Sequence, residues 1–171
     1  MKKVGLISDT HGTFSKDLKD FLGDVDVVLH CGDWGSVHTL DEVKDFKPVI
    51  GVYGNCDDQD IRMEVPLYQS FRLEDLNCLM IHIGGYPGRY DYKAFSLIDH
   101  IKPDIFFCGH SHILKVMNDP HHFCVSEPER MMMTMNPGAC GIMGFHNVRT
   151  ALRFKVEGRD ISDLELWEMP R

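Results

Sequence analysis

Apolar residues fall along the chain in short blocks, each stopping at a glycine or a polar cluster. Lys3 to Ser8 reads as a buried strand, and Phe14 to Leu22 as a short helix with Leu18, Phe21 and Leu22 on one face. Val25 to Cys31 is almost wholly apolar, which predicts a strand covered on both faces, and it stops at Gly32-Asp33. Val37, Leu40, Val43 and Phe46 recur at roughly helical spacing until Pro48 ends the pattern. Val49 to Tyr53 is a third strand, running into Gly54-Asn55-Cys56-Asp57. Strand, helix, strand, helix, strand predicts a parallel sheet with ligands outside the carboxyl ends of its strands.

The pattern then changes. Ser70 to Leu73 and Leu79 to His82 flank the polar turn Glu74-Asp75-Leu76-Asn77 and predict an antiparallel hairpin, followed by a flexible Gly84-Gly85-Tyr86-Pro87-Gly88. Ala94, Leu97, Ile98 and Ile101 mark an amphipathic helix that stops before Pro103, and the short strand Ile105 to Cys108 delivers Gly109-His110-Ser111-His112. The last third is mostly β: Leu114 to Met117, Met131 to Met135, Ala151 to Val156 and Leu164 to Trp167. Between the first two, Asn118 to Arg130 is polar, contains Pro120 and Pro128, and is expected to be a long exposed hairpin loop. No repeat, low-complexity tract or linker interrupts the chain, so one domain over residues 1–171 is expected.

Composition narrows the function classes. With 171 residues, 43% hydrophobic and 26% charged, the chain has the make-up of one soluble domain with a substantial core. A net charge of -8 argues against a surface that grips long nucleic acid by its phosphates. It is compatible with a small phosphorylated substrate, because bound cations invert the local field. No apolar stretch is long enough to span a bilayer, so no membrane partner is expected. The run after Met1-Lys2-Lys3 is cut by Asp9, too early for a secretory segment, and the 6 Cys include no Cys-x-x-Cys pair. Free thiols in a reducing cytoplasm are the expectation.

The chain also has 10 His, and their placement carries the chemistry. Asp9 and His11 stand two apart at a strand end, where strand alternation would aim both at one point with Ser8 and Thr10 turned away. An oxygen and a nitrogen donor suit manganese, iron, nickel or zinc better than calcium or magnesium. Five segments end this way: Asp9/His11, Asp33, Asn55, His82 and His110/His112. Two Asp, one Asn and four His suffice for two metal ions with one carboxylate bridging.

These blocks together, with Asn136-Pro137-Gly138, resemble the calcineurin-like metallophosphoesterases, most closely their small single-domain phosphodiesterase branch. The resemblance runs from Asp9 to Gly138. It implies an α/β (α+β) fold, a four-layer α-β-β-α sandwich of two mixed β-sheets flanked by helices. It places Asp9, His11 and His112 on a first metal, Asn55, His82 and His110 on a second, and Asp33 on both. Asn136-Pro137-Gly138 matches a stretch that closes the floor near the site in relatives. The resemblance implies two divalent ions, Mn2+ foremost, with Ni2+, Fe2+ or Zn2+ as alternatives. The implied activity is hydrolysis of phosphate esters, diesters foremost, by a hydroxide bridging the ions, with Asp33, Asn55, Cys56 and His110 as catalytic residues. A phosphomonoesterase or nucleotide phosphatase on the same site is the alternative within enzymes. The rival from another class is a protein-binding scaffold of the same fold, as used in membrane trafficking, whose metal site has decayed; here no ligand is lost.

Two positions depart from the family pattern. Cys56 stands where most members carry a His that protonates the leaving group, and Ile83-Gly84-Gly85 follows His82 where Gly-His is frequent. A thiol is a weak donor, so esters with good leaving groups are expected to be preferred. Asp57 is expected to fix its loop by accepting backbone hydrogen bonds. Tyr86, Arg89, His146 and Arg149 flank glycine-rich loops, where an Arg can pair with a phosphate, although a solvated surface role is the plainer reading. Asn55, Tyr86, Arg89 and Arg149 are thus the candidate substrate contacts. His30 is expected in the core, His38, His100, His121 and His122 away from any metal, and Met131 to Met133 in packing. A homo-oligomer is left open.

Overall fold

The computed structural model describes residues 1–123 and 127–171. The first half contains β1 (Lys2–Ile7), α1 (Lys16–Phe21), β2 (Val27–His30), α2 (Val37–Phe46), β3 (Val49–Gly51), α3 (Gln59–Glu64), β4 (Tyr68–Leu73) and β5 (Leu76–Ile81). A two-residue pair, β6 (Gly85–Tyr86) and β7 (Arg89–Tyr90), leads into α4 (Tyr92–Ile101) and β8 (Ile105–Phe107). The long strands β9 (Leu114–Phe123), β10 (Met131–Pro137), β11 (Val148–Glu157) and β12 (Asp160–Pro170) follow.

Two five-stranded sheets result, ordered β12-β11-β1-β2-β3 and β4-β5-β8-β10-β9. Parallel pairing joins β1 to β2 and β2 to β3 in the first, and β5 to β8 and β8 to β10 in the second. The remaining pairs are antiparallel, so both sheets are mixed. A parallel first half and antiparallel second half is therefore only partly right. The C-terminal β11 and β12 complete the first sheet, and parallel pairing returns in the second.

Three apolar layers explain the stacking. Val4, Leu6, Leu29 and Phe154 of one sheet meet Cys78, Met80, Phe107 and Met135 of the other in the central core. On the outer face of the first sheet, Ile7 and Val28 pack with Leu18 of α1, Leu40 and Val43 of α2 and Ile61 of α3. On the outer face of the second, Leu79, Phe106 and Cys108 pack with Ala94 and Ile98 of α4. The order of layers is thus helices, sheet, sheet, helix, as expected of a calcineurin-like sandwich.

Local signals account for the helix starts. Ser15, Ser36 and Asp58 each accept a hydrogen bond from the N–H three residues on, and Asp91 accepts from Lys93 N. Two features differ from the sequence expectation. The hairpin turn is only Glu74-Asp75, because Leu76 is buried and already belongs to β5. The polar run from Asn118 is not a loop throughout, since β9 continues to Phe123, and residues 124–126 of it lie outside the described part. Asp119 is buried there because Tyr90 Oη and His121 N donate to its carboxylate and His122 Nδ1 lies 2.8 Å from it. Met132 is buried and Met133 packs on the core, but Met131 is exposed. No helix among the described residues is long and apolar enough to cross a membrane.

Candidate metal centre

The site lies where parallel strands from both sheets end together: β1, β2 and β3 of one, β5 and β8 of the other. Backbone bonds zip the loops after β1 and β2, with Asp9 N, His11 N and Gly12 N donating to Gly32 O, Asp33 O and Trp34 O. The Asp57 carboxylate takes the N–H groups of Asp33, Gly35 and Gly54, joining the loop after β2 to that after β3. Asn136 Nδ2 donates to Gly109 O and Ser111 Oγ, which pins the loop carrying His110 and His112. At Gly109 a Cβ would stand 2.0 Å from Ser8 Oγ and 2.9 Å from Asp9 Oδ2, so only glycine lets the two sheets' loops meet.

The side chains do not converge by strand alternation. Asp9, His11, Asp33, His110 and His112 all have left-handed backbones, with φ between 43° and 67°. Such a residue costs on the order of 1 kcal/mol or more, and persists where surrounding bonds over-determine it. Ser8 is accordingly not turned away; its Oγ donates to Asp9 Oδ2 at 2.5 Å. Thr10 Oγ1 turns toward Asp33 O, Trp34 O and His30, whose buried ring stacks on Trp34.

Asp9, Asp33, His82 and His112 each have one side-chain atom anchored and another turned toward the other candidate ligands. Asp9 Oδ2 accepts from Ser8 Oγ and His110 N, while the buried Oδ1 receives no hydrogen bond. His112 Nε2 lies 3.0 Å and His11 Nε2 3.7 Å from that Oδ1. Asp33 Oδ1 accepts from Cys56 N at 2.9 Å, and Oδ2 faces His82 Nε2 at 3.2 Å and His11 Nε2 at 3.7 Å. His82 Nδ1 donates to Cys31 O at 2.7 Å, so Nε2 presents a lone pair 3.1 Å from Asn55 Oδ1. Lone pairs of nitrogen aimed at oxygens that only accept repel one another unless a proton or a cation lies between. The donor set fits divalent cations of borderline softness. Asp9, His11 and His112 form one such group, and Asp9, Asp33 and His82 another.

Electrostatics agree with a cluster built for cations. Burial opposes ionisation of Asp9, yet the imidazoles of His11, His112 and His82 and the Ser8 hydroxyl outweigh it and hold the carboxyl well below the usual range. Asp33 is likewise lowered against its burial, by His82 and the Cys56 N–H. The His30 ring is pushed down to about 3 by burial, which keeps it neutral as a spacer. Burial, then the Asp33 charge, pushes the Cys56 thiol up to about 11, so it holds its proton at neutral pH.

A cleft of about 480 Å3 opens beside Asn55 and His82, walled by Tyr53, Leu67, Ile83, Arg62 and Lys93. Arg62, on the unanticipated α3, lies over the Tyr53 ring and donates to Asp57 O and Asn55 O. The signal for α3 was there: an Asp58 cap followed by helix formers. Tyr86 lines a separate pocket with Ser111, and Lys115 Nζ lies over its ring. Arg89 is exposed and stands opposite Tyr86 in the β6–β7 pair. Arg149 is brought to neither: it is buried, donates to Cys140 O and Ser15 Oγ, and lies over Trp167. Arg149→Ala is expected to cost about 2 kcal/mol in urea unfolding, the scale of lost bonds to a charged donor, with kcat/KM unchanged. The reverse pattern would make it a substrate contact.

A sequence model of the calcineurin-like phosphoesterase superfamily domain matches residues 1–159. The probable metallophosphoesterase MJ0623 of Methanocaldococcus jannaschii is 30% identical over 115 residues, which cover 64% of this chain and 58% of that protein, under two thirds of its length. The phosphodiesterase MJ0936 of the same organism is 24% identical over 156 residues, covering 81% of this chain and 84% of that protein. Among solved structures, Vps29 of Entamoeba histolytica complexed with Zn2+ superposes with a TM-score of 0.71 at 15% identity over 98% of both chains, which is a likeness of fold.

Proposed function

The chain belongs to the calcineurin-like phosphoesterase superfamily, a metal-dependent family, and we propose that it is a single-domain cytoplasmic hydrolase of small phosphodiesters with two divalent cations. The observation that carries this reading is the bare, fully buried Asp9 Oδ1, faced by two imidazole nitrogens. In the proposed arrangement Asp9, His11 and His112 hold one ion, and His82, Asn55 and His110 the other. Asp33, whose Oδ2 lies between His11 and His82, would be shared. Mn2+ is the foremost candidate, with Ni2+, Fe2+ and Zn2+ as alternatives. Bound ions would acidify water near neutral pH and neutralise charge on the phosphoryl oxygens.

The chain's own groups supply the rest. Asn55, at the mouth of the cleft, carries an amide that can donate to a phosphoryl oxygen while its Oδ1 faces the His82 side. His110, next to His82 with ring centroids 5.3 Å apart, is held toward its neutral form chiefly by burial. The cleft has room for one ester substituent, with Arg62 and Lys93 at its wall balancing the acidic surface. A monoester as preferred substrate is the enzyme alternative. The Vps29 likeness keeps a scaffold in view, but a scaffold does not require the bare, buried Asp9 Oδ1 or the anchoring of Asp33, His82 and His112.

Metal content of the purified protein, with hydrolysis of a mono- and a diester of one chromophore in added Mn2+, tests the reading. Two ions per chain and faster diester turnover are expected; a folded, metal-free, inactive protein overturns it. The protonated Cys56 beside Asn55 is the proposed donor to the leaving oxygen. Cys56→Ala is then expected to slow an alkyl diester roughly 10- to 100-fold, the low end for general acid catalysis, and to spare a nitrophenyl diester. Equal effects on both would remove Cys56 from that role.

A further inference from the structure

The loop from Gly141 to Asn147 carries a histidine that points back into the centre. His146 Nε2 lies 3.0 Å from Gly141 O, and its Nδ1 lies 3.0 Å from His112 Nδ1. A carbonyl oxygen can only accept, so the His146 proton sits on Nε2 and its Nδ1 offers a lone pair. His112 Nδ1 must then be the donor in the ring-to-ring bond. His112 Nε2, 3.0 Å from the bare Asp9 Oδ1, is left as its only nitrogen able to offer a lone pair.

We propose that His146 is a positioning residue, which selects the Nδ1–H tautomer of His112 and so presents His112 Nε2 to a divalent cation beside Asp9. The role rests on the metal-centre reading above, and three further observations show that the contact is built. Gly144, at φ +124°, has no Cβ; one added there would stand 2.4 Å from His112 Nδ1 and 3.1 Å from His146 Nδ1. Arg171 Nη1 donates to Gly144 O and His146 O, and Arg149 Nε to Cys140 O, holding the loop at both ends. The two rings meet nearly edge to face, 77° apart with centroids at 4.9 Å. His82 achieves the same result with a carbonyl, Cys31 O, as the acceptor on its Nδ1. His82 and His112 are thus set by different devices to one end.

The test compares wild type, His146→Phe, which keeps the ring and loses the acceptor, and His146→Asn, whose Oδ1 can take over the His112 N–H. Long-range 15N–1H correlation spectra of the metal-free proteins read the His112 tautomer, and competition with a chromophoric chelator reads Mn2+ and Zn2+ affinity. Wild type and the Asn variant are expected to show His112 protonated on Nδ1. In the Phe variant the Nε2–H tautomer is expected to prevail, since Nε2–H can then donate to Asp9 Oδ1. Affinity is expected to fall roughly 10- to 100-fold in the Phe variant, the range for lost outer-shell partners, and to be largely restored by Asn. An unchanged tautomer in the Phe variant, or an Asn variant as weak as Phe, overturns the proposal. A wild type that binds no metal refutes the metal-centre reading, whereas the tautomer comparison decides the His146 contact on its own.

Discussion

Asp33→Asn is expected to lower diester hydrolysis by roughly 10³-fold or more while leaving the protein folded. The carboxylate is almost fully buried and stands between the two halves of the centre, with Oδ2 3.2 Å from His82 Nε2 and 3.7 Å from His11 Nε2. Asparagine keeps an oxygen for the Cys56 N–H but turns an NH2 group toward both imidazoles. That group can donate to the His82 lone pair, which preserves packing, and cannot bind a cation. On the proposed arrangement, losing a shared anionic ligand would remove several kcal/mol of charge stabilisation in the transition state, and each factor of ten is about 1.4 kcal/mol. Elemental analysis should find fewer than two ions per chain, with a thermal midpoint close to that of wild type. Wild-type kcat/KM in the variant would show that Asp33 is not shared between ions.

Much of this was legible in the order of residues. The α2 helix is found where apolar spacing, the Ser36 cap and Pro48 place it, because three local signals agree. The seven candidate ligands come from five loops at one end of two sheets, as blocks ending in Gly or an apolar strand suggest. The backbone that brings them together was not legible. Strand alternation would have aimed Asp9 and His11 alike, whereas left-handed residues held by Asp57, Asn136 and cross-loop N–H bonds do so. Polarity read Asp119 as loop, because the Tyr90 and His122 that satisfy it are 29 residues behind and three ahead. His146 was visible as a residue beside glycines, but its partner, 34 positions earlier, appears only when β9, β10 and β11 bring that loop back to His112.

Asp57 allows the strength of that hidden framework to be measured. Its Oδ2 takes the N–H of Asp33 at 3.0 Å and of Gly54 at 2.8 Å, and its Oδ1 that of Gly35 at 3.1 Å. Asp57→Ala leaves three buried or half-buried donors without an acceptor, each worth about 1–3 kcal/mol, so a loss of about 3 kcal/mol or more is expected. For a chain of this size that corresponds to a fall of roughly 6–12 °C in Tm. Asp57→Asn can place its one oxygen where Oδ2 stands and keep two of the three bonds, so it should recover more than half of the loss. The Ala variant should also bind Mn2+ more weakly below its Tm, because the loops carrying the candidate ligands Asp33 and Asn55 lose the Asp57 tie between Asp33 N and Gly54 N and keep the bond from Cys56 N to Asp33 Oδ1. A scaffold whose loops merely pack would lose stability alone. Loss of stability and of metal affinity together, both partly returned by Asn, would show that one carboxylate holds the left-handed turn at Asp33 against its cost and sets the spacing of the two halves of the centre.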